Sequence, residues 1–287
     1  MKKYVPIGYV ILHYQNEKVT NYCINSLLKS SIDAPIVVVD NASPNGSGKQ
    51  LSDNYKAEKR ITILLSTKNI GFARGNNLGF QYLKQHYQID NIVVMNNDVI
   101  IDSADFEQQI ISYMQQNKID VCGPDILTPT AKHQNPLLPH IVTTKKLIVQ
   151  IVADEMRMLM LRLKLFEKRI YAFYNRSSAS HHKTTVATNG ILHGACIVYG
   201  QRYVQNEPYA FLPLTFLYGE EMLLADYLKH KKYSTGICTT TSVTHLGGVS
   251  TAIGMNEKEK LIFKTHQMNK SLCIVLWQRV KYLLRKL

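Results

Sequence analysis

Four carboxylates and one histidine in this chain stand where chemistry could be done. Asp98 ends the apolar run Ile92-Val93-Val94-Met95 and follows two amides, Asn96 and Asn97. Such a run reads as a buried strand of a parallel sheet, and ligands collect beyond the carboxyl ends of those strands. A carboxylate flanked by amides there suits Mg2+ or Mn2+ held against a phosphate, because both cations prefer oxygen ligands. A plain strand-to-turn junction has the same composition. Asp40, in Val39-Asp40-Asn41-Ala42-Ser43, also follows an apolar run. It can accept hydrogen bonds from the base or ribose of a nucleotide, or serve the turn alone. Glu220 and Glu221 open a helical pattern after Tyr218-Gly219. The helix dipole favours acids at that end, and adjacent acids diverge on a helix, so one at most faces a substrate. His245 lies in Val243-Thr244-His245-Leu246-Gly247-Gly248-Val249-Ser250. It is either a structural histidine or a ligand beside a glycine pair that admits another group closely.

A glycine-bearing segment, Asn69-Ile70-Gly71-Phe72-Ala73-Arg74-Gly75-Asn76-Asn77-Leu78-Gly79, precedes a helical pattern. Its glycines lie four apart, which is neither the GxGxxG of dinucleotide enzymes nor a Walker loop, so an NAD-dependent oxidoreductase is excluded. Glycines at a helix start let backbone N–H groups approach phosphate oxygens, and Arg74 adds charge; a loop with a solvated arginine is the alternative.

The elements that must position these groups alternate along the first hundred residues. Strands are expected at Tyr9–Leu12, Ile36–Val39, Ile61–Leu65 and Ile92–Met95, and helices at Val19–Lys29, Gly75–His86 and Asp105–Gln116. Strands separated by helices predict right-handed crossovers and a parallel sheet, an α/β fold. Gly123-Pro124 and the stretch Pro129–Pro139 mark a boundary. The expected units are 1–125, which holds a nucleotide, 126–255, and a tail, 256–287. Beyond the boundary, Ile148, Val152, Met156, Leu159, Leu163, Phe166 and Ile170 form one stripe of a single long helix over 145–171. Lys145, Lys146, Arg157, Arg162, Lys164, Lys168 and Arg169 surround it. The C-terminus repeats the pattern with Leu272, Leu276, Val280, Leu283 and Leu287 beside Trp277, Lys270, Arg279, Lys281, Arg285 and Lys286. Basic amphipathic helices of this kind either lie in the interface of an anionic membrane or pack on the core.

A formal charge of +13 on 287 residues implies an anionic partner. Nucleic acid is not expected, because no helix-turn-helix, zinc-finger or RNP signature is present and the charge gathers on apolar-striped segments. Five cysteines (Cys23, Cys122, Cys196, Cys238, Cys273) without a CxxC pair exclude a zinc ribbon and a disulfide framework and fit a reducing compartment. There is no signal peptide pattern, and no apolar run reaches the roughly 18 residues of a bilayer span. His133, His140, His181 and His182 lack metal-ligand spacing and read as loop histidines.

In order, the chain shows a strand ending His13-Tyr14, then Val-Asp-Asn-Ala-Ser and Asn-x-Gly-Phe-Ala-x-Gly-Asn-Asn-x-Gly. An Asn-Asn-Asp strand end, Gly194-Ala195-Cys196, Tyr-Gly-Glu-Glu and His-Leu-Gly-Gly-x-Ser follow. Over roughly residues 5–250 this order resembles family 2 glycosyltransferases, especially the rhamnosyl- and galactofuranosyltransferase-like enzymes of bacterial surface polysaccharide synthesis. The resemblance implies a GT-A fold and an inverting transfer from a UDP- or dTDP-sugar. Tyr14 and Asp40 would hold base or ribose, Asp98 and His245 would hold Mn2+ or Mg2+, and Glu221 would be the catalytic base. Asn69, Gly71, Arg74, Asn76 and Asn97 complete the expected nucleotide-sugar contacts. The chain departs from the family pattern in carrying Asn96 where many relatives have an acid, which removes one negative charge from the cation site. The implied acceptor is a saccharide on polyprenyl diphosphate, with the enzyme cytoplasmic and peripheral on the inner face of the cell membrane. A nucleotide-sugar-binding scaffold without catalysis is the rival reading.

Overall fold

The computed structural model describes residues 2–31, 33–178, 190–247 and 256–284. One eight-stranded sheet organises the described residues. The first half supplies β1 (Lys3–His13), α1 (Glu17–Ser30), β2 (Ile36–Asp40), α2 (Ser47–Tyr55), β3 (Ile61–Leu65), α3 (Phe72–His86), β4 (Tyr87–Asn96), β5 (Val99–Ile100), α4 (Phe106–Gln116) and β6 (Val121–Leu127). The second half supplies α5 (Thr144–Arg162), α6 (Glu167–Ser178), β7 (Cys196–Tyr199), α7 (Gln201–Asn206), α8 (Glu220–Lys231), β8 (Thr235–His245) and α9 (Glu257–Leu284).

The strand order is β3-β2-β1-β4-β7-β6-β8-β5. β1 through β4 are parallel, as their uninterrupted apolar runs require: all five residues of β2 are buried. β7 enters antiparallel between β4 and β6, and β8 runs parallel to β6. The sheet is therefore continuous across residue 125, and the boundary expected there falls inside β6. Helices cover both faces. Cys23, Ile24, Leu27, Leu51, Phe106 and Ile110 of α1, α2 and α4 pack on one face. Phe80, Leu83, Tyr203, Leu224 and Leu228 of α3, α7 and α8 pack on the other.

Two expectations about helices need correction. The segment 145–171 is not one helix: α5 ends at Arg162, and α6 begins at Glu167. Lys164 and Phe166 take left-handed φ values of 57° and 54°, which breaks the helix with neither glycine nor proline to announce it. Nor does the stripe face the core. Ile148, Val152, Met156, Leu159, Leu163 and Phe166 are all exposed, and of the seven only Ile170 is buried. The core side of α5 is instead Leu147, Met158 and Leu161. In α9, Leu272 and Val275 are buried, while Trp277, Val280, Leu283 and Leu284 are exposed. Arg285, Lys286 and Leu287 lie outside the described residues, as do His181 and His182. An apolar cluster around Leu147, Met222, Leu223, Leu272 and Val275 fixes α5 and α9 on α8. Arg279 clamps Asp226 through two hydrogen bonds of 2.5 and 3.0 Å. No helix among the described residues is long and apolar enough to cross a membrane. All five cysteines are free thiols.

Candidate active site

The carboxyl edge of β1, β2 and β4 is built from polar side chains that bind one another. His13, wholly buried, contacts the Thr20 hydroxyl through Nδ1 (2.7 Å) and the Ser47 hydroxyl through Nε2 (2.8 Å). Burial lowers its pKa, so the ring is neutral and its two nitrogens can join hydroxyls of opposite polarity. Thr20 also accepts from the Asn97 side chain (2.9 Å), tying β4's end to α1. Tyr14 is half-buried just beyond β1. Asp40 accepts from the Ser43 backbone N–H and from its hydroxyl, and lies so close to Gly48 that a Cβ there would meet the carboxylate at 2.2 Å. Its oxygens thus serve the turn into α2. Asn41, one residue on, accepts from Ile70 N–H (2.9 Å) and donates to Asn69 Oδ1 (3.0 Å), holding the glycine segment in place.

That segment is occupied with structure more than expected. The N–H of Gly71 goes to Asn69 Oδ1 and that of Phe72 to the Phe216 carbonyl (2.8 Å). Gly71 has φ +85°, and a Cβ there would lie 2.3 Å from the Phe216 oxygen, so only glycine fits. Asn76 is buried and donates to Phe72 O within α3, so it does not stand open to a nucleotide. Asn77 exchanges a pair of hydrogen bonds with the Phe211 backbone (2.7 and 3.0 Å). Arg74 is exposed, with Nε donating to the Pro213 carbonyl (3.2 Å).

Asp98 follows β4 and is buried, and its backbone carbonyl accepts from Leu246 N–H (2.9 Å). The β5–β8 pairing, Val99 opposite His245, brings the end of β8 to it. His245 Nδ1 donates to Gln134 Oε1 (2.8 Å), which leaves the Nε2 lone pair turned toward Asp98 Oδ1 at 3.3 Å. A lone pair and a carboxylate oxygen facing each other form an arrangement that a proton or a cation completes. No group of three or more His, Cys, Asp or Glu residues with metal-site geometry occurs among the described residues. Asp98 and His245 could therefore offer a cation at most two ligands. Gly248, Val249 and Ser250 of the same motif lie outside the described residues.

His193 joins this pair, a residue that the sequence motifs did not single out. Its ring centroid is 5.6 Å from that of His245. Nδ1 accepts the Ala195 N–H (3.1 Å), so the neutral ring carries its proton on Nε2. Burial, with His245 adding to it, lowers the pKa to about 4. The ring is therefore a fixed neutral donor at physiological pH. The one available signal was its place immediately before Gly194-Ala195-Cys196.

Glu221 reaches the same segment from the other side. The N–H of Gly194 donates to it, and a Cβ on Gly194 would lie 2.6 Å from Oε1. Burial raises the Glu221 pKa against these hydrogen bonds. Glu220 is turned away into the interior, accepting from Thr215 Oγ1 (3.1 Å); burial and the charge of Glu221 push it up to about 8. Of the paired acids, then, only Glu221 is partly exposed. The structure brings Asp98, His193 and His245 together, with Glu221 against the adjacent Gly194. His133, by contrast, pairs with Asp125 (2.9 Å) away from this group.

The profile of glycosyl transferase family 2 matches residues 9–178, more than half of the chain. This chain belongs to glycosyl transferase family 2. Over 152 residues the chain is 22% identical to the uncharacterized glycosyltransferase EpsJ of Bacillus subtilis (strain 168), covering 53% of this chain and 42% of that protein. Its fold is similar to that of S. aureus TarS residues 1–349 (TM-score 0.53, 11% identity, 84% of this chain and 60% of that one). The same TarS fragment in complex with UDP gives a TM-score of 0.54 at 12% identity, over 85% of this chain and 61% of that one. At such identities the TarS likeness is one of fold. The chain spans less than half the length of EpsJ and about three-fifths of the TarS fragment. The chain has the GT-A architecture, a mixed α/β sheet with helices on both faces.

Proposed function

We propose that this family 2 glycosyltransferase moves a sugar from a UDP- or dTDP-sugar to a saccharide hydroxyl in one displacement that inverts the anomeric centre. The observation that supports this reading is that Glu221 lies against Gly194, the residue after His193, whose ring neighbours the Asp98–His245 pair. Glu221 takes the acceptor hydroxyl's proton as that oxygen attacks the anomeric carbon, and the nucleoside diphosphate leaves. Burial raises the Glu221 pKa, which makes the ionised carboxylate a stronger base while lowering the fraction that is ionised at a given pH. His193 offers its Nε2–H to the departing phosphate oxygens. Tyr14 and the Asp40–Ser43 turn lie on the side where base and ribose would rest, with Asn69, Asn97 and Arg74 along the same edge. The complex of the structurally similar TarS fragment with UDP supports a nucleoside-diphosphate donor.

The two lone pairs offered by Asp98 and His245, 3.3 Å apart, fit Mn2+ or Mg2+ that takes its other ligands from a diphosphate. Such an ion would supply positive charge against the leaving group. With Asn96 in place of an acid, the protein contributes a single carboxylate.

The exposed apolar side chains of α5, α6 and α9 support a peripheral seat on the inner face of the cell membrane. Lys145, Lys146, Arg162, Lys164, Lys168 and Arg169 are exposed among them, the mixture that anionic bilayer interfaces bind. The proposed acceptor is correspondingly a saccharide on polyprenyl diphosphate. Thermal shift with UDP, dTDP and their sugars, with and without Mn2+, tests the donor side. Stabilisation by neither nucleotide would overturn the reading.

A further inference from the structure

A groove with a volume of roughly 430 Å3 runs along α8, and Glu221 lines one end of it. Leu224, Ala225, Leu228 and Lys229 continue the same wall at helical spacing, and Lys232 closes it. Ile141 and Leu192 form the facing wall, with Tyr233 at the far end. None of Asp98, His193 or His245 lines it, so the groove meets the donor side only at Glu221.

In a displacement with inversion the incoming hydroxyl must arrive opposite the leaving group. With Glu221 as the proposed base, the acceptor hydroxyl must reach Glu221, and the groove is a space that Glu221 borders while Asp98, His193 and His245 do not. Glu221 is the one carboxylate lining the groove, and Lys229 and Lys232 are its lysines. Lys229 stands eight residues along the helix, about 12 Å from Glu221 on the axis. Both lysines are exposed, and neither ammonium is ion-paired among the described residues. Two cations at one end of the groove, where Tyr233 and Thr235 also line it, repel each other until an anion lies between them. The same end abuts the membrane-facing layer: His230 stacks on Tyr282 (4.0 Å), and the exposed Leu283 and Leu284 follow in α9.

We infer that the α8 groove seats the acceptor, with its reacting hydroxyl at Glu221 and a phosphate group of the acceptor on Lys229 and Lys232. This rests on the transferase reading given above. The phosphate belongs either to a lipid carrier anchored beside α9 or to the saccharide itself, and one experiment separates the two. The protein of residues 1–287, its donor site filled with UDP, is titrated with farnesyl diphosphate, inorganic pyrophosphate and farnesol. The expected result is binding of farnesyl diphosphate that falls at least tenfold in the Lys229→Glu/Lys232→Glu pair and less in Lys229→Ala/Lys232→Ala. UDP affinity should stay within about twofold in both. Farnesyl diphosphate binding much tighter than pyrophosphate supports the lipid carrier, and equal affinities support a phosphate read without lipid. Farnesol binding as tightly as its diphosphate, no binding of either anion, or indifference to charge reversal would overturn the inference. Failure of UDP itself to bind would instead strike the transferase reading.

Discussion

Along the carboxyl edge of the sheet, polar side chains are buried and bound to one another: His13 to Thr20 and Ser47, Asn97 to Thr20, Asn41 to the Asn69–Gly71 turn. Along α5 and α9 the reverse holds, with Val152, Leu159, Leu163, Val280 and Leu283 each about half exposed or more. Burying a polar group without a partner costs about 1–3 kcal/mol, so a network this complete marks a place held rigid. Large side chains left in water on adjoining helices mark a place that something else covers. The two regions meet at α8, which carries Glu221 at one end and packs against α9 along its length.

If the rigid edge does chemistry and the outer helices do docking, substitutions should separate cleanly. The largest effect belongs to Glu221→Gln: transfer should fall about 10²–10⁴-fold while UDP affinity, by calorimetry, is unchanged. Retained turnover would move the base elsewhere. Asp98→Asn comes next, lowering UDP affinity in Mn2+ by about tenfold with little change in EDTA, since it removes a cation ligand. Equal losses in both buffers would mean that Asp98 only shapes the edge.

The outer region is tested by Val152→Glu/Leu159→Glu/Leu163→Glu. Flotation with anionic liposomes should drop several-fold, while stability stays within about 0.5 kcal/mol per site because each position is exposed. Liposome binding that survives would leave the stripe without a membrane role. The smallest effect is a pH signature at Glu220. Its pKa is about 8 in the fold against 4.5 ordinarily, so the native state holds a proton that the unfolded chain releases. That contribution is fully present below about pH 4.5 and is lost as pH rises through 8. Glu220→Gln should therefore melt closer to the parent at pH 5 and higher than it at pH 8.5, by on the order of 1 kcal/mol. Parallel melting curves across that range would place the proton elsewhere.

β1 to β4 were legible as short apolar runs between turn formers, as at Ile36–Val39 and Ile61–Leu65, whereas β5, β6 and β7 were not expected. Asp98, Glu221 and His245 stand at or beside element ends and were singled out by their order among motifs; the 3.3 Å approach of Asp98 and His245 is what the structure adds. α2 was not, because Leu51 is its one large apolar residue and gives no period to detect. The break between α5 and α6 was hidden for the opposite reason: its apolar period continues through Leu163 and Phe166 while the backbone turns left-handed. The exposure of that stripe could not be read at all, because spacing tells which residues share a face and not which way the face points. His193 and Asn41 escaped notice because their roles depend on neighbours distant in sequence, His245 and Ile70.

Gly71 presses against the carbonyl of Phe216, a few residues before the helix that begins with Glu220. One added methyl would wedge apart the loop after β3 and the segment leading to Glu221. A scan for activity would then score this glycine beside the proposed base, and a map drawn from such a scan would enclose a spacer within the reaction centre.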